Sequence, residues 1–210
     1  MTSHKHYIDL SVTIADGMPV YPGDPHVSIK TAGTFERDGY WGHEITMGNH
    51  VGTHIDAPAH MIEDGATLDQ FDVTDFIGKA CYVDARTGIS LEAIRLAGPQ
   101  PGDIVVFDTG YAQHFHEPKY FQDYPAMSKE VAEYLVSCRV KMVGLDTCSI
   151  DNSPNFEIHK ILLGNNILVI ENLTGLGKLR GMTAIIYALP LKVGIDASPA
   201  RVIAEIGGTE

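Results

Sequence analysis

Three histidines and an aspartate fall within eleven residues, His50-Val-Gly-Thr-His54-Ile-Asp56-Ala-Pro58-Ala-His60. Imidazoles and a carboxylate at this density are a donor set for zinc or manganese, and the stretch holds no thiolate of the kind that closes structural zinc sites. His50, His54, Asp56 and His60 are spaced by 4, 2 and 4 residues, so all lie on one parity of an extended chain. A helix would disperse them. At about 100° per residue Asp56 would point about 200° away from His54, and Gly52 and Pro58 interrupt a helical run. A straight strand fails as well, because it would hold His50 and His54 about 13 Å apart. Two imidazole nitrogens on one ion lie roughly 3 Å apart, each Zn–N bond being about 2 Å. The segment is therefore expected to arrive extended and then curl, with Gly52 and Pro58 permitting the turn. A lone histidine is usually an ordinary surface or core residue; four candidate ligands beside a Gly and a Pro point to a metal site.

A second chemically informative pair lies more than a hundred residues later. Phe156 to Leu163 suits a short helix stopped by Gly164 and Asn165. Ile167 to Ile170 reads as a buried strand, and Glu171 follows where it emerges. A carboxylate straight after four aliphatics is costly unless it hydrogen-bonds, meets a cation or binds metal. His159, on the preceding helix, would pack back against the same strand. This pair gains meaning beside a cluster that lacks a partner carboxylate.

The elements that must position these residues can be traced along the chain. Strands are expected over Tyr7 to Ile14, Val27 to Thr34, Gly42 to Met47 and Ala80 to Asp84. The Pro- and Gly-rich loop from Asp16 to Pro25 carries Tyr21 and Asp24 and either caps a sheet or lines a pocket. Trp41, the only tryptophan, reads as a packing residue. Thr67 to Phe76 suits a helical turn, and Ser90 to Ala97 a helix with a serine N-cap and a Gly98-Pro99 stop. Asp103 to Asp108 and Val140 to Asp146 are continuous apolar runs typical of buried central strands. Between them Ser128 caps a helix to Cys138 with Val131, Leu135 and Cys138 on one face. Helix alternating with strand indicates α/β architecture.

Composition sets the outer limits. The chain has 210 residues, 44% of them hydrophobic, enough for one large domain over 1–210. Fifteen Lys and Arg against 27 Asp and Glu leave a net charge of −12, which disfavours nucleic acid and anionic membranes as partners. The charge is spread along the chain as a solvated acidic surface. Cys81, Cys138 and Cys148 are too few and too dispersed for a disulfide framework. Residues 1–10 lack the apolar core of a signal peptide, and no stretch approaches the roughly 20 apolar residues of a membrane span. A reduced, cytoplasmic, soluble protein is expected.

The stretch from His50 to His60 resembles the HxGTHxDxPxH signature of the metal-dependent cyclase family, which includes bacterial kynurenine formamidase and isatin hydrolase. Pro-Val-Tyr-Pro-Gly-Asp at 19–24, Gly-Leu-Asp-Thr at 144–147, His159, Glu-Asn-Leu at 171–173, Ala-Leu-Pro-Leu at 188–191 and Ser-Pro-Ala-Arg at 198–201 resemble further family features in the same order. The resemblance implies one α/β domain whose mixed, barrel-like β-sheet is flanked by helices (the swivelling β/β/α type), assembled as a homodimer or tetramer. It also implies two zinc ions per subunit, one held by His50, His54 and Asp56 and the other by Asp56, His159 and Glu171, with either Asp56 alone or Asp56 and Glu171 shared. Isatin hydrolase relatives use manganese, some with a single ion.

His60 matches the family's proton donor and acceptor, a role an imidazole outside the minimal ligand set can fill. The expected activity is an amidohydrolase using metal-activated water on an aryl formamide such as N-formylkynurenine. Tyr21 would contact substrate, although formamidases acting on N-formylkynurenine place a Trp there. The alternatives are a hydrolase of a cyclic imide, lactam or lactone, and a non-catalytic metal- or ligand-binding protein on the same scaffold.

Overall fold

The computed structural model describes residues 5–207; residues 1–4 and 208–210, at the two ends of the expected domain, lie outside them. In chain order the elements are β1 (His6–Asp9), β2 (Ser28–Gly33), α1 (Phe35–Asp38), β3 (Gly42–Thr46), β4 (His54–Asp56), β5 (Ile77–Asp84), α2 (Leu91–Ala97), β6 (Ile104–Asp108), α3 (Lys129–Cys138), β7 (Met142–Leu145), α4 (Glu157–Leu163), β8 (Leu168–Glu171), β9 (Ala184–Pro190) and β10 (Ala197–Ile206). Short 3-10 turns fill several connections, including Pro58–His60 and Leu68–Gln70.

Seven strands close into a ring in the order β10-β4-β8-β7-β6-β5-β9 and back to β10. The β5–β6, β6–β7 and β7–β8 pairs are parallel, joined through the outer helices as right-handed chain chemistry favours. The remaining pairs are antiparallel. β1 lies along the far half of β10, with His6 opposite Ile206 and Asp9 opposite Ile203. The hairpin of β2 and β3 is a separate two-stranded sheet. The architecture is thus α/β with a mixed, barrel-like sheet flanked by helices.

Alternation along the strands builds two cores. Ile104 and Val106 of β6, Met142 of β7, Leu168 and Ile170 of β8 and Ile55 of β4 fill the inside of the ring. Their neighbours Val105, Phe107, Val143, Leu145 and Val169 point outward, against Ile94, Val131, Leu135, Ile158 and Leu162 of the helices. With Ile55 inside, His54 and Asp56 must project from the outer face of β4, and Glu171, of the same parity as Val169, from the outer face of β8.

The helix limits follow from local chemistry. Ser90 and Ser128 accept hydrogen bonds from the backbone N–H of Ala93 and Val131, as N-caps do, and Gly98 ends α2 in the left-handed region. The expected strand over Tyr7 to Ile14 is cut short. The Ser11 hydroxyl takes the place of a backbone partner, donating to the Val202 carbonyl and accepting from its N–H. β5 begins at Ile77, ahead of the expected Ala80. β9 and β10 were not among the expected strands; Pro190 ends β9, and Pro199 sits where β10 passes from pairing with β4 to pairing with β9.

Among the described residues, no helix is long and apolar enough to cross a membrane, and all three cysteines are free.

Gly65 supports the 3-10 turn that carries His60. A Cβ there would lie 2.6 Å from the Pro58 carbonyl carbon and 2.7 Å from the Ala59 nitrogen, both backbone atoms. Gly65→Ala is therefore expected to lower stability in urea unfolding by about 1–3 kcal/mol. A variant with wild-type stability would show that this turn yields freely.

Candidate metal centre

The pairing of β4 with β8 sets His54 directly opposite Glu171 and Asp56 opposite Val169. Gly52, at φ +61°, turns the chain ahead of β4 so that His50 folds back over it; the His50 and His54 rings are 5.2 Å apart between centroids. After β4, Pro58 opens the 3-10 turn that returns His60, whose ring lies 4.2 Å from that of His50. The segment therefore joins a three-residue strand to a kink on each side, as its spacing requires.

His159 reaches the cluster from α4. Its Nε2 is 3.2 Å from Glu171 Oε1 and 3.9 Å from Asp56 Oδ2. Asp151 holds the start of this helix, accepting hydrogen bonds from the N–H of Ile158 and Ser153 at 2.7 Å each. The same carboxylate faces His159 Nδ1 at 3.9 Å. Phe156, the residue before α4, has φ +51°, a conformation rare for an aromatic side chain, and borders the cavity above the cluster.

Hydrogen-bond acceptors at the outer nitrogens turn the inner ones toward the carboxylates. His54 Nδ1 lies 2.8 Å from the Gly52 carbonyl oxygen, which can only accept, so Nδ1 carries the proton. His54 Nε2 faces Asp56 Oδ1 (3.4 Å) and Glu171 Oε2 (3.5 Å). His50 repeats the arrangement. Its Nε2 is 3.0 Å from Asp196 Oδ2, while Nδ1 faces Asp56 Oδ1 at 3.0 Å, out of line for a hydrogen bond. Asp56 is fully buried, and among the described residues neither of its oxygens has a hydrogen-bond partner; His54 Nε2 and His159 Nδ1 are likewise unpartnered. A buried carboxylate and imidazole nitrogens that converge without hydrogen bonds between them are unfavourable unless a cation, proton or metal, offsets the charge.

The residues present therefore fit a divalent metal. Donor atoms of His50, His54 and Asp56 lie within 4.8 Å of one another, as do those of Asp56, His60 and His159. The first trio is the one expected from the sequence. In the second, His60 stands where Glu171 was expected, although Glu171 is in hydrogen-bonding range of His159 and also accepts from the Ile150 N–H at 2.9 Å.

The electrostatics follow from the carboxylates. Burial opposes charge on His50, but Asp56 and Asp196 overcome it and raise the ring to about 9. Burial likewise opposes charge on His159, yet Asp151, Glu171 and Asp56 raise it to about 10. Asp56 goes the other way: burial resists ionisation, and His54 and His50 nevertheless hold its carboxyl below the usual range. His60 is lowered, first by burial and then by the neighbouring His50 and His159. In the metal-free protein His50 and His159 thus carry protons at neutral pH, and metal uptake displaces them. Zinc affinity is expected to rise about 10- to 100-fold per pH unit between pH 6 and 8, for one or two protons released. Competition with a chromogenic chelator measures this; an affinity independent of pH would contradict it.

A cavity of about 290 Å³ opens onto the cluster, with His50, His54, His60, His159 and Glu171 in its lining. Val20, Tyr21, Pro22, Phe115, Phe121 and Phe156 give it apolar walls. Tyr21 is 37% exposed and meets Phe121 edge to face, with centroids 6.3 Å apart. It borders the cavity of its own chain, so the Pro- and Gly-rich loop is pocket-lining.

Three supporting residues were not singled out in the sequence. Asp196 contacts His50 and, at 3.3 Å, His60. Asp151 anchors α4. Asn172 donates from its side chain to the Gly52 carbonyl at 3.0 Å, steadying the acceptor that orients His54, and accepts from the Tyr120 hydroxyl at 2.9 Å. Only the position of Asn172 beside Glu171 offered a signal. Asp151 and Asp196 are two among 27 acidic residues and stand near no histidine in sequence.

The chain is similar to known proteins over nearly its whole length. It is 35% identical over 199 residues to an uncharacterized protein of Methanocaldococcus jannaschii, covering 94% of this chain and 97% of that one. It is 30% identical over 207 residues to a kynurenine formamidase of Erythrobacter litoralis, covering 96% and 94%. A solved structure described as a potential metal-dependent hydrolase with cyclase activity superposes with a TM-score of 0.80 at 30% identity, covering 99% of this chain and all of that one. Residues 8–152 match the family model described as "Putative cyclase". With that span and those identities, the chain belongs to the cyclase family.

Proposed function

We propose that this protein is a metal-dependent hydrolase of non-peptide C–N bonds that cleaves an aryl formamide such as N-formylkynurenine into the aryl amine and formate. The observation that carries the reading is His54 Nε2, buried and without a hydrogen-bond partner, facing Asp56 and Glu171 beside an aromatic-walled cavity. The identity to a kynurenine formamidase supports the substrate class. On this reading residues 1–210 act as one domain, cytoplasmic and assembled as a homo-oligomer.

His50, His54 and Asp56 would hold one ion and Asp56, His159 and Glu171 a second, zinc being the first choice and manganese the other. The bound ion supplies Lewis acidity toward the amide carbonyl and lowers the pKa of water. The rest is done by the chain. The apolar walls, with Tyr21 among them, bind the aryl ring flat and place its amide over the cluster. His60, neutral because burial and two neighbouring rings oppose its charge, accepts the proton of the attacking water. It then delivers that proton to the departing nitrogen as the C–N bond breaks, which returns the ring to its starting state.

Tyr21 occupies the position where formamidases acting on N-formylkynurenine carry Trp, and it favours a second substrate class: a cyclic imide, lactam or lactone. Its hydroxyl adds a polar contact that Trp lacks at that point. Initial rates on formanilides and on cyclic amides, with zinc and manganese supplied separately, separate the two. Aryl formamide turnover at least tenfold above the cyclic substrates is expected. The reverse order would reassign the substrate, and inactivity on both classes would leave a binding protein.

A further inference from the structure

Asp196 stands immediately ahead of β10. The pairing of Ala197 with Asp56, together with the hydrogen bond from the Ala57 N–H to the Asp196 carbonyl at 2.8 Å, fixes its backbone beside the cluster. Its Oδ1 accepts from the Asn49 side-chain amide at 2.8 Å. That anchor leaves Oδ2 facing two rings at once, His50 Nε2 at 3.0 Å and His60 Nδ1 at 3.3 Å. An ionised carboxylate only accepts, so both ring nitrogens facing it must be N–H donors. His50 then presents Nδ1 to Asp56, and His60 presents Nε2 as a bare lone pair.

We propose that Asp196 is a positioning residue of the hydrolytic site, one carboxylate oxygen that sets the tautomer and orientation of the His50 ligand and the His60 proton carrier together. The assignment rests on the hydrolase reading above. Donor atoms of His50, His60 and Asp196 also lie within 4.8 Å of one another, the spacing of a further ligand trio. The chemistry favours positioning. A neutral His50 that offers Nδ1 toward Asp56 keeps its proton on Nε2, and a protonated nitrogen pointing at Asp196 leaves no lone pair there for a cation.

Asp196→Asn and Asp196→Ala test this in zinc-loaded protein. Zinc stoichiometry is expected to match wild type, with affinity lowered about 10- to 100-fold. Turnover of a formanilide should fall about 10- to 100-fold in kcat with KM changed less than about threefold. Replacing the amide by an aryl formate, whose phenolate leaves without a proton, should recover part of the loss. Independently of activity, ¹⁵N NMR of labelled histidine should place the neutral His60 proton on Nδ1 in wild type and spread it over both nitrogens in Asp196→Ala. Loss of one zinc per chain would make Asp196 a ligand and overturn the proposal. So would wild-type kcat in both variants, or a wild-type His60 protonated on Nε2. A wild-type protein inert toward every amide would instead sink the hydrolase reading, while the NMR result would still decide the Asp196 assignment.

Discussion

Asp56→Asn is expected to release bound metal and lower kcat/KM about 10³- to 10⁴-fold, a loss of about 4–5.5 kcal/mol in transition-state stabilisation. Asp56 is the point where both candidate metal positions meet. One oxygen faces His50 and His54 at 3.0 and 3.4 Å, and the other lies 3.9 Å from His159. Removing its charge withdraws an anionic donor from every ion bound there, whereas removing His159 touches one position. The asparagine side chain is nearly the same size, so the packing around Ile55 and Ala57 stays intact and the variant should retain wild-type circular dichroism. Elemental analysis beside kcat/KM separates the cases. Full metal content in an inactive Asp56→Asn would move the ions away from this carboxylate.

His60→Ala has the second-largest effect and a different signature. Its kcat is expected to fall about 10²- to 10⁴-fold, the usual range for a general acid–base, with metal content and KM close to wild type. The lowered ring, held neutral by burial and by His50 and His159, suits a group that must accept a proton before donating one. The distances also place a His60 nitrogen within 4.8 Å of Asp56 and His159 donor atoms, so metal content decides between proton carrier and ligand. Loss of one ion from His60→Ala would assign the ring to the metal. Retained metal with a wild-type rate would remove it from the reaction.

The half of the candidate site on one continuous stretch was legible as a spatial cluster because parity and kinks are local. The parity of His54 and Asp56 survives on the outward face of β4, with Ile55 inside the ring between them, and the turns at Gly52 and Pro58 bring His50 and His60 to the same cluster. Glu171 and His159 were legible for a related reason: a carboxylate at the end of an apolar strand demands compensation, and the nearest imidazole lay on the preceding helix. Asp196 and Asp151 were not, because their roles depend on strand register and helix capping between residues far apart in sequence. β9 and β10 were not expected as strands, and in β10 Pro199 reads as loop chemistry, although β10 closes the ring and brings Asp196 beside Asp56. The ring of seven strands is likewise a consequence of pairing order, to which strand patterns alone are blind.

The most direct test of the metal-dependent hydrolase follows formate release from N-formylkynurenine or a formanilide by chelator-treated protein as zinc or manganese is titrated back. Turnover should be absent after chelation, rise with added metal and saturate at the stoichiometry of the His50–His54–Asp56 and His159–Glu171 cluster. Undiminished turnover in protein shown by elemental analysis to hold no metal would contradict it.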